Sequence, residues 1–599
     1  DEAATDAAIK SAEVVVKVRL DSPRVVPNCM EPRGGLVKYD AATDSYDVHF
    51  PTQGVAMWRP GVSHVAGIPP EKIRLHGLDV GGGYGARSGA YPDQILLMWA
   101  AKKLNRPLKW TATRSENFTT EAHGRAVILE GELALKRDGT FVAIRTKWLC
   151  DQGAYLAAAG PLTNCTNGMF TCGGTYLFQA AYGRHHILVT NTVPTNAYRG
   201  AGRPEASYIV ERLVDEAAVT IGMDRAEIRR RNAIPASMMP YTNHGKMTYD
   251  SGDFPKLVEI AVDKGDWAGF AKRRAESQAR GKLRGIGLAL FCEISGGGVA
   301  PKDTGAVRFN TDGSVTLHSA IQPHGQGHET VFPELVGATL GIDPERISVS
   351  MNDAFSHSLM GNGVVGSRTA QQFGSAFQLA ALDVIKKGRD LAAKKLEAAA
   401  DDIEFAAGTY SVKGTDRRVS LLSLAADHRG PELNPLDAQG EQALSRAFPS
   451  AAHIAEIEID PATGTTTLAR YVAVDDCGVV LNHTIVEGQL QGSLAQGAGQ
   501  VFGEVGAYDR QTGQLLAGSF MDYYMPRAGM IPEIESYELL NKSPTTFIGA
   551  KGVGEAGTVG ALPTIMNAVL DALRPLGIKE FDMPATPARV WAALQAAKR

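Results

Sequence analysis

Apolar residues recur along this chain with two spacings, which predict alternating strands and helices. Alternation and short apolar runs predict strands at 14–20, 46–50, 73–80, 107–111, 127–156, 285–291, 315–321 and 468–474. The longest of these stretches contains a turn signal at Arg137–Thr140 and predicts a hairpin. Apolar positions at i, i+3 and i+4 predict helices after residue 90, over 209–217, over 369–395 and over 562–573.

The last of these helices follows the stretch Gly549–Gly557, where Glu555 stands among four glycines. Glycines let a backbone approach a ligand closely, and the start of a helix presents free N–H groups. A carboxylate held there is a candidate general base. The alternative interpretation is a Gly-rich turn whose acidic residue suits the helix dipole.

Polar loops rich in Gly, Gln, Ser and Arg stand at the other predicted strand-to-helix junctions. They are Gly81–Arg87, Thr195–Glu205, Gln322–Thr330, Gly363–Gln372 and Val486–Ser493. No Walker lysine motif accompanies them. Dense neutral hydrogen bonding of this kind is typical of a site for a large polar cofactor with some phosphate, held at helix N-termini.

Composition and charge exclude several classes of function. The chain has 599 residues, 65 of them Gly, and a net charge of -4, which provides no basic face for nucleic acid. No apolar run approaches the roughly 18 residues of a membrane-spanning helix. The six cysteines contain no C-x-x-C pair, which excludes the usual zinc and iron–sulfur signatures and favours reduced thiols in the cytoplasm.

Length and composition also predict the domain organisation. A chain of this size is too long for one core. Residues 245–283 turn polar and irregular, so we expect a first domain over 1–250, a linker over 251–284 and a second domain over 285–599.

Other chemistries remain open at this point. Gly81, Gly83 and Ala86 fit a dinucleotide-binding fingerprint, but the next strand does not end in the acidic residue that would hold a ribose. His324 and His328 have the spacing of a zinc pair, with Glu329 beside them as the base of a hydrolase. The two glycines between these histidines argue for a loop rather than a helix. A scaffold that lost its activity is a further alternative, against which Glu555 speaks.

The loops together resemble the large, molybdopterin-binding subunit of the xanthine dehydrogenase, aldehyde oxidase and carbon monoxide dehydrogenase family of molybdenum hydroxylases. The matching stretches are Gly81–Gly85, Ala197–Gly202, Gly325–Thr330, Gly366–Thr369, Gly488–Gly497 and Gly552–Glu555. The resemblance implies an α+β fold with two large mixed α/β molybdopterin-binding domains. The resemblance also implies that the family's N-terminal α/β domain is absent from this chain.

The resemblance also implies roles for residues. Glu555 resembles the family's base, which deprotonates a molybdenum-bound hydroxyl, and Gln53 resembles the amide that faces the metal's ligands. The further positions similar to cofactor contacts are Gly82, Gly83, Tyr84, Gly85, Arg199, Gly325, Gln326, Gly327, His328, Ser367, Arg368, Thr369, Gln489, Gly552, Val553 and Gly554. Those similar to substrate-pocket positions are Tyr84, Ser88, Tyr198, Arg199 and Gly200. The metal itself is expected to be held by the pterin dithiolene.

Cofactors and partners follow from the same resemblance. Bacterial-type members carry molybdopterin cytosine dinucleotide and pass electrons through [2Fe-2S] clusters to FAD. This chain contains neither a cluster motif nor a flavin motif, so a small iron–sulfur subunit and a medium FAD subunit are expected. A cytoplasmic dimer of heterotrimers is the assembly that the resemblance implies, with the missing N-terminal part as a further partner if the large subunit is split or cleaved.

Two departures from the family pattern bear on the substrate. Carbon monoxide dehydrogenases carry a cysteine straight after the loop arginine, where this chain has Gly200. Purine-oxidising members place a glutamate shortly after the first Gly loop, where this chain has Ser88. An N-heteroaromatic ring activated at the carbon beside nitrogen is therefore the first expectation, and an aldehyde is the alternative.

Overall fold

The computed structural model describes residues 1–77, 79–157, 159–351, 359–428 and 433–598. The helices up to residue 250 are α1 Glu2–Ser11, α2 Val55–Ala66, α3 Pro92–Leu104, α4 Arg114–Thr120, α5 Asn167–Phe170, α6 Arg203–Ile221 and α7 Arg225–Asn232. The strands there are β1 Val14–Ser22, β2 Gly34–Asp40, β3 Ser45–His49, β4 Ile73–His76, β5 Leu108–Thr111, β6 Val127–Leu135, β7 Phe141–Asp151, β8 Ala180–Leu188, β9 Tyr241–Thr242 and β10 Thr248–Tyr249.

The elements of the remaining chain follow in the same alternation. The helices are α8 Phe254–Lys264, α9 Phe270–Ala279, α10 His328–Leu340, α11 Thr369–Lys395, α12 Leu421–Ala426, α13 His483–Phe502, α14 Ala556–Leu573 and α15 Pro587–Ala597. The strands are β11 Leu283–Cys292, β12 Ser295–Gly296, β13 Lys302–Phe309, β14 Val315–Ser319, β15 Ile347–Met351, β16 Ile403–Ala406, β17 Thr409–Val412, β18 Arg418–Ser420, β19 Ala438–Ala443, β20 Arg446–Ala447, β21 Ser450–Ile459, β22 Thr466–Asp476 and β23 Ile534–Glu538.

The larger sheets have four strands each and mixed direction. Their strand orders are β1-β6-β7-β8, β4-β3-β2-β5, β11-β21-β22-β23 and β15-β14-β13-β19. Antiparallel hairpins such as β6–β7 lie beside parallel pairs such as β7–β8, which need a long crossover between them. The result is a mixed α/β fold in both halves, as the sequence predicts.

One buried core joins the two halves of the chain. It runs from the inner face of β1, β6 and β7 across α6 to α14 and the sheet of β11, β21 and β22. Alternating burial along β6 turns its apolar positions towards α6. The core therefore reaches the start of α14 from both sides, and this places Glu555 at the meeting of the two halves.

Close backbone packing holds α14 in place. A Cβ on Gly285 of β11 would lie 2.0 Å from the carbonyl oxygen of Ala568, and one on Gly287 would lie 2.1 Å from that of Thr564. Any side chain at these two positions would push the helix off the strand. The glycines therefore fix the position of the helix whose first turn carries the candidate base.

The structure confirms three predicted elements: the hairpin at 137–140, the long helix over 369–395 and the helix over 562–573, which is α14. The segment expected as a linker over 251–284 is largely helical, because α8 and α9 occupy most of it. Phe254, Leu257, Val258 and Ala261 recur at helical spacing and bury one face of α8 in the core. The division into two cofactor-binding domains stays a prediction.

Among the described residues, a single stretch, Ala556–Leu576, is long and apolar enough to cross a membrane. It consists mainly of α14, and 94% of its apolar window is buried inside the protein. The burial identifies it as a core helix of the fold.

Candidate active site

The carboxylate of Glu555 is held by three donors from two separate segments, the loop into α6 and the loop before α11. Its Oε1 accepts a hydrogen bond from the main-chain N–H of Gly200 at 3.0 Å. Its Oε2 accepts from Oγ of Ser367 at 3.0 Å and from a guanidinium nitrogen of Arg203 at 3.1 Å. The residue is the N-cap of α14, so the predicted place of the carboxylate at a helix start is confirmed. Its side chain remains 16% exposed.

The surroundings keep this carboxylate ionised. Burial raises the pKa of Glu555, but Arg203, the Gly200 N–H, the Ser367 hydroxyl and Arg199 outweigh it and bring the pKa below its usual value. An ionised, partly exposed carboxylate is the form that can accept a proton at neutral pH.

Arg199 ties three glycine-rich segments together beside Glu555. Its Nε donates to the carbonyl oxygen of Gly554 at 2.7 Å, and its Nη2 donates to Oε1 of Gln489 at 3.0 Å. The guanidinium also lies 5.8 Å from the ring centre of Tyr84. The predicted positions Tyr84, Arg199, Gln489 and Gly554 therefore converge, although they are far apart in sequence.

Gln53 joins the first Gly loop to the loop at 363–366. Its Oε1 accepts from the N–H groups of Gly85 and Arg87, both at 3.0 Å, and its Nε2 donates to the carbonyl oxygen of Val364 at 2.9 Å. A primary amide carries two N–H donors. The structure records one acceptor for Nε2 among the residues it describes, which leaves the second donor for a ligand.

The predicted pocket residues differ in their exposure to solvent. Tyr84 is 44% exposed beside the buried Gly82 and Gly83. Tyr198 is 2% exposed, and its ring packs under the guanidinium of Arg125 behind the loop. Ser88 donates to the carbonyl oxygen of Gly85 at 2.8 Å and so stiffens the first Gly loop. Tyr84 is thus the member of this set that presents an aromatic surface to solvent.

The segment Gly325–His328 is a loop that ends at the first residue of α10. Gln326 folds back so that its Oε1 accepts from the N–H of His324 at 2.7 Å. The ring of His328 is buried and stacks on Phe332. Burial lowers the pKa of His324 to about 4 and that of His328 to about 3, so both rings are neutral at pH 7.

The polar residues of the loop before α11 differ in their partners and burial. Ser367 directs its hydroxyl to Glu555, whereas the Arg368 guanidinium is fully buried in a bidentate pair with Asp303. Thr369 is the buried first residue of the helix. Arg368 can therefore contribute to a ligand only through its main chain.

The expectation of a loop over 486–493 is wrong, because these residues lie within α13. Asn482 caps the helix through its side chain, and Leu490, Leu494 and Ala498 bury one face at helical spacing. The opposite face exposes Gly488, Gln491 and Gly492. Glycine and glutamine on an exposed helical face next to Arg199 provide a surface that a ligand can approach closely.

These segments fit a large polar cofactor. Open space surrounds the Cα atoms of Gly325 and Gly488, since a Cβ at either would meet no atom within 4 Å. A Cβ on Gly552 would instead lie 2.0 Å from the carbonyl oxygen of Ser367, so the segment before Val553 and Gly554 packs backbone to backbone against the Ser367 loop. Nδ1 of His324 and Oε1 of Gln496 are buried and have no hydrogen-bond partner among the described residues. Unpaired polar atoms thus remain in these segments for a ligand.

Two of the alternative chemistries lose their support. The dinucleotide interpretation is wrong, because α3 begins at Pro92, five residues beyond the Gly81–Arg87 loop, and the adjoining β4-β3-β2-β5 sheet is largely antiparallel. His324 lies in a loop and directs Nε2 to the carbonyl oxygen of Thr52 at 2.8 Å. Among the residues that the structure describes, no group of three or more His, Cys, Asp or Glu side chains could hold a metal ion.

The sequence interpretation missed two residues that surround Glu555. Arg203 was recognised only as part of a Gly/Arg loop, and Glu293 was not singled out. Arg203 Nη2 bonds both carboxylates, at 3.0 Å to Glu293 and 3.1 Å to Glu555. No local pattern distinguishes either residue, because the pairing joins α6, the end of β11 and the start of α14.

A mixed α/β fold in which glycine-rich segments converge on one ionised carboxylate defines a cofactor-dependent enzyme subunit. The family described as molybdopterin cofactor-binding domain matches residues 2–233 with its first domain and 261–532 with its second. The carbon monoxide dehydrogenase large chain of Hydrogenophaga pseudoflava is 35% identical, over 99% of this chain and 76% of that protein. The nicotine 6-hydroxylase large subunit of Paenarthrobacter nicotinovorans is 32% identical, over 98% of this chain and 74% of that protein.

Solved structures agree with these relatives. Quinoline 2-oxidoreductase from Pseudomonas putida 86 has a TM-score of 0.92 at 30% identity, covering 98% of this chain and 77% of that one. The chain belongs to the molybdopterin-binding large subunits of the molybdenum hydroxylase family. It is a molybdenum-dependent oxidoreductase, a hydroxylase or dehydrogenase, and the resemblance seen in the sequence is confirmed.

Proposed function

We propose that this chain is the catalytic subunit of a molybdenum hydroxylase in which Glu555 is the general base. The observation that carries the proposal is the set of three donors, Gly200, Ser367 and Arg203, which hold the Glu555 carboxylate ionised at the start of α14. The molybdenum–pterin group, when bound, supplies the oxygen-transfer and electron-accepting chemistry. The protein's part is to position the reactants and to accept the proton that oxygen insertion releases.

The residues that would hold the cofactor are those that leave donors or open space around Glu555. Gln53 offers an amide N–H, and the exposed face of α13 with Gly325 and Gln326 offers a surface that a pterin dinucleotide can approach. Arg199 couples this surface to Gly554, next to the base. We propose the cytosine dinucleotide form of the cofactor, as the family's bacterial members carry it.

The proposed substrate is an N-heteroaromatic ring that is oxidised at the carbon beside nitrogen, with an aldehyde as the alternative. The exposed ring of Tyr84 next to Arg199 supports a planar aromatic substrate. Nicotine and quinoline, in the names of two relatives, are both rings of this class. Carbon monoxide is disfavoured despite the 35% identity to a carbon monoxide dehydrogenase. A side chain at Gly200, which has φ +96°, would bring its Cβ within 2.3 Å of Pro204, so the backbone leaves no room for a cysteine.

The proposed assembly includes a small subunit with [2Fe-2S] clusters and a medium subunit with FAD. Two relatives are named as a large chain and a large subunit, which supports an enzyme built from several subunits. Electrons from substrate must leave the site, and the described residues contain no cluster-type group of cysteines. We propose that the assembly is a cytoplasmic dimer of heterotrimers. This chain, when purified alone, should then lack flavin and iron–sulfur absorbance.

Metal analysis and one substitution test the proposal together. We expect molybdenum near one per chain and a pterin extractable from the purified complex. The Glu555→Gln variant should keep the molybdenum and the pterin. Its turnover should fall at least about a hundredfold, because the amide can hydrogen-bond but cannot accept a proton. The matched control is Glu345→Gln, an exposed glutamate. Stoichiometric zinc without molybdenum, or a Glu555→Gln enzyme within a factor of a few of wild type, would refute the proposal.

A further inference from the structure

A second carboxyl group lies behind the candidate base. The same nitrogen of Arg203, Nη2, lies 3.0 Å from Oε1 of Glu293 and 3.1 Å from Oε2 of Glu555. These two carboxyl oxygens are therefore at most about 6 Å apart. The side chain of Glu293 is completely buried, whereas that of Glu555 is 16% exposed.

Burial of this pair disfavours the ionisation of both carboxyls. Arg203 is the cation that both groups share, and Arg199 faces Glu555 from the neighbouring loop. Glu293 follows the buried Cys292 at the end of β11, and its Oε2 has no hydrogen-bond partner among the described residues. Two carboxylates this close repel each other, and with one of them completely buried this favours a proton on that one.

The hydrogen bonds decide which carboxyl is neutral. Glu555 accepts from three donors and reaches solvent, whereas the carboxyl group of Glu293 accepts one hydrogen bond from the described side chains, that of Arg203. Burial raises the pKa of Glu293 well above its usual value, and the charge of Glu555 adds to this while Arg203 opposes it. The pKa of Glu555 moves the other way. The proton therefore stays on Glu293.

We propose that Glu293 is a positioning residue, a neutral carboxylic acid that holds the guanidinium of Arg203 against the ionised Glu555. This inference rests on the proposed role of Glu555 as the base. As a neutral acid, Glu293 orients Arg203 by accepting its hydrogen bond. It carries no negative charge that would offset the positive charge of Arg203. The positive charge of Arg203 then acts on Glu555 alone and keeps it ready to accept a proton.

Infrared spectroscopy tests the protonation state without relying on turnover. In the assembled holoenzyme near neutral pH, the difference between wild type and Glu293→Gln should contain the C=O band of a protonated carboxylic acid that shifts in D₂O. Replacement of the exposed Glu345 by Gln should remove only carboxylate bands. If Glu293→Gln also removes only carboxylate bands, Glu293 is ionised and the inference is overturned.

The pH profile of kcat/KM tests the positioning role. Glu293→Leu, which cannot orient Arg203, should lose at least about tenfold in kcat with KM changed less than about twofold. Glu293→Gln keeps a neutral acceptor and should rescue at least about a third of the wild-type kcat, with the acid limb of the profile within about 0.3 pH unit of wild type. If Glu293 were an anion, the same Gln variant would move that limb down by about one unit or more, because Arg203 would then act on Glu555 alone.

The two proposals can fail separately. An active Glu555→Gln enzyme would remove the base, yet the difference spectrum between wild type and Glu293→Gln would still report the protonation state of Glu293 in the wild-type site. Conversely, an inactive Glu555→Gln enzyme together with a Glu293→Gln difference spectrum that lacks the acid band would retain the base and reject the positioning role. The Gln variant and its spectrum decide the question even if Glu293→Leu does not fold.

Discussion

The main-chain N–H of Gly200 donates a 3.0 Å hydrogen bond to the carboxylate of Glu555, across a separation of 355 residues. Gly200 lies in the loop before α6, and Glu555 caps α14. Since both helices belong to the core that joins the two halves of the chain, the base is positioned by the packing of the whole molecule. Removal of a side-chain donor to this carboxylate should therefore change its pKa without changing the fold.

Ser367→Ala tests this expectation for a side-chain donor. The Ser367 hydroxyl lies 3.0 Å from Oε2 of Glu555 and helps to lower the pKa of the carboxyl. A hydrogen bond to a charged group contributes about 1.5–3 kcal/mol. We expect the acid limb of kcat/KM to move up by about one pH unit, because the ionised form of Glu555 loses a donor.

The control for this experiment is Ser445→Ala. Like Ser367, Ser445 is partly buried, but its hydroxyl bonds the side chain of Gln372 and not Glu555. Its pH profile should coincide with that of wild type. An unshifted acid limb in Ser367→Ala would mean that the hydroxyl does not support the ionised base.

Gly200→Ala tests the backbone donor. Gly200 has φ +96°, and a Cβ there would lie 2.3 Å from Cγ of Pro204. We expect a loss of several kcal/mol in stability and at least about tenfold in turnover, because the loop must move its N–H away from Glu555. Differential scanning calorimetry and kcat measure the two effects.

Gly222 provides a matched control for that substitution. It has φ +68° at the end of α6, and a Cβ there would meet no atom within 4 Å. Gly222→Ala should therefore cost only the backbone strain of about 1 kcal/mol and leave turnover unchanged. If both variants lose the same stability and turnover, the loop accommodates a Cβ at Gly200 beside Pro204 without moving its N–H away from Glu555.

The sequence predicted those parts of the fold that depend on local pattern. The β6–β7 hairpin follows from alternation on both sides of Arg137–Thr140, and α14 follows from apolar spacing after Glu555. α13 was missed because its glycines indicate a loop. The helix forms because Leu490 and Leu494 are buried in the core, and a Cβ on Gly497 would lie 2.5 Å from that of Ala561 on α14. Tertiary packing overrides the low helix propensity of glycine.

The site was predictable only in part. The glycine-rich loops and Glu555 stand out in the sequence, since composition marks them. The pairing of Arg203 with Glu293 does not, because it depends on which faces of α6 and β11 meet. Arg368 illustrates the converse: it lies within a matching loop, yet its guanidinium pairs with Asp303 in the interior.

Arg368→Met should therefore act on stability rather than on cofactor contacts. The side chains of Arg368 and Asp303 are both completely buried, so removing the cation leaves an uncompensated buried carboxylate. We expect a loss of about 3–5 kcal/mol in the free energy of unfolding. Lys302→Met, which breaks an exposed pair with Glu441, should cost at most about 1 kcal/mol. Chemical denaturation compares the two, and a stable Arg368→Met variant without molybdenum would instead indicate a cofactor contact.

Glu504 makes the stability of the chain depend on pH. This buried residue accepts a hydrogen bond from Tyr523 at 2.9 Å, and burial raises its pKa to about 8 against the opposing effects of Tyr523 and Arg125. An unfolded chain would ionise the same group near its usual value of 4.5. The folded state binds this proton more tightly, so the contribution of Glu504 to stability is complete at low pH and is lost as pH rises to about 8.

Glu504→Gln should remove this dependence. The amide keeps an acceptor for Tyr523 and carries no charge at any pH. We expect its Tm to rise relative to that of wild type by about 1–3 °C between about pH 5.5 and pH 8. Exposed Glu345→Gln should follow wild type across the same range. If the Tm difference between Glu504→Gln and wild type stays constant with pH, Glu504 ionises equally in the folded and unfolded chain, and burial does not hold its proton.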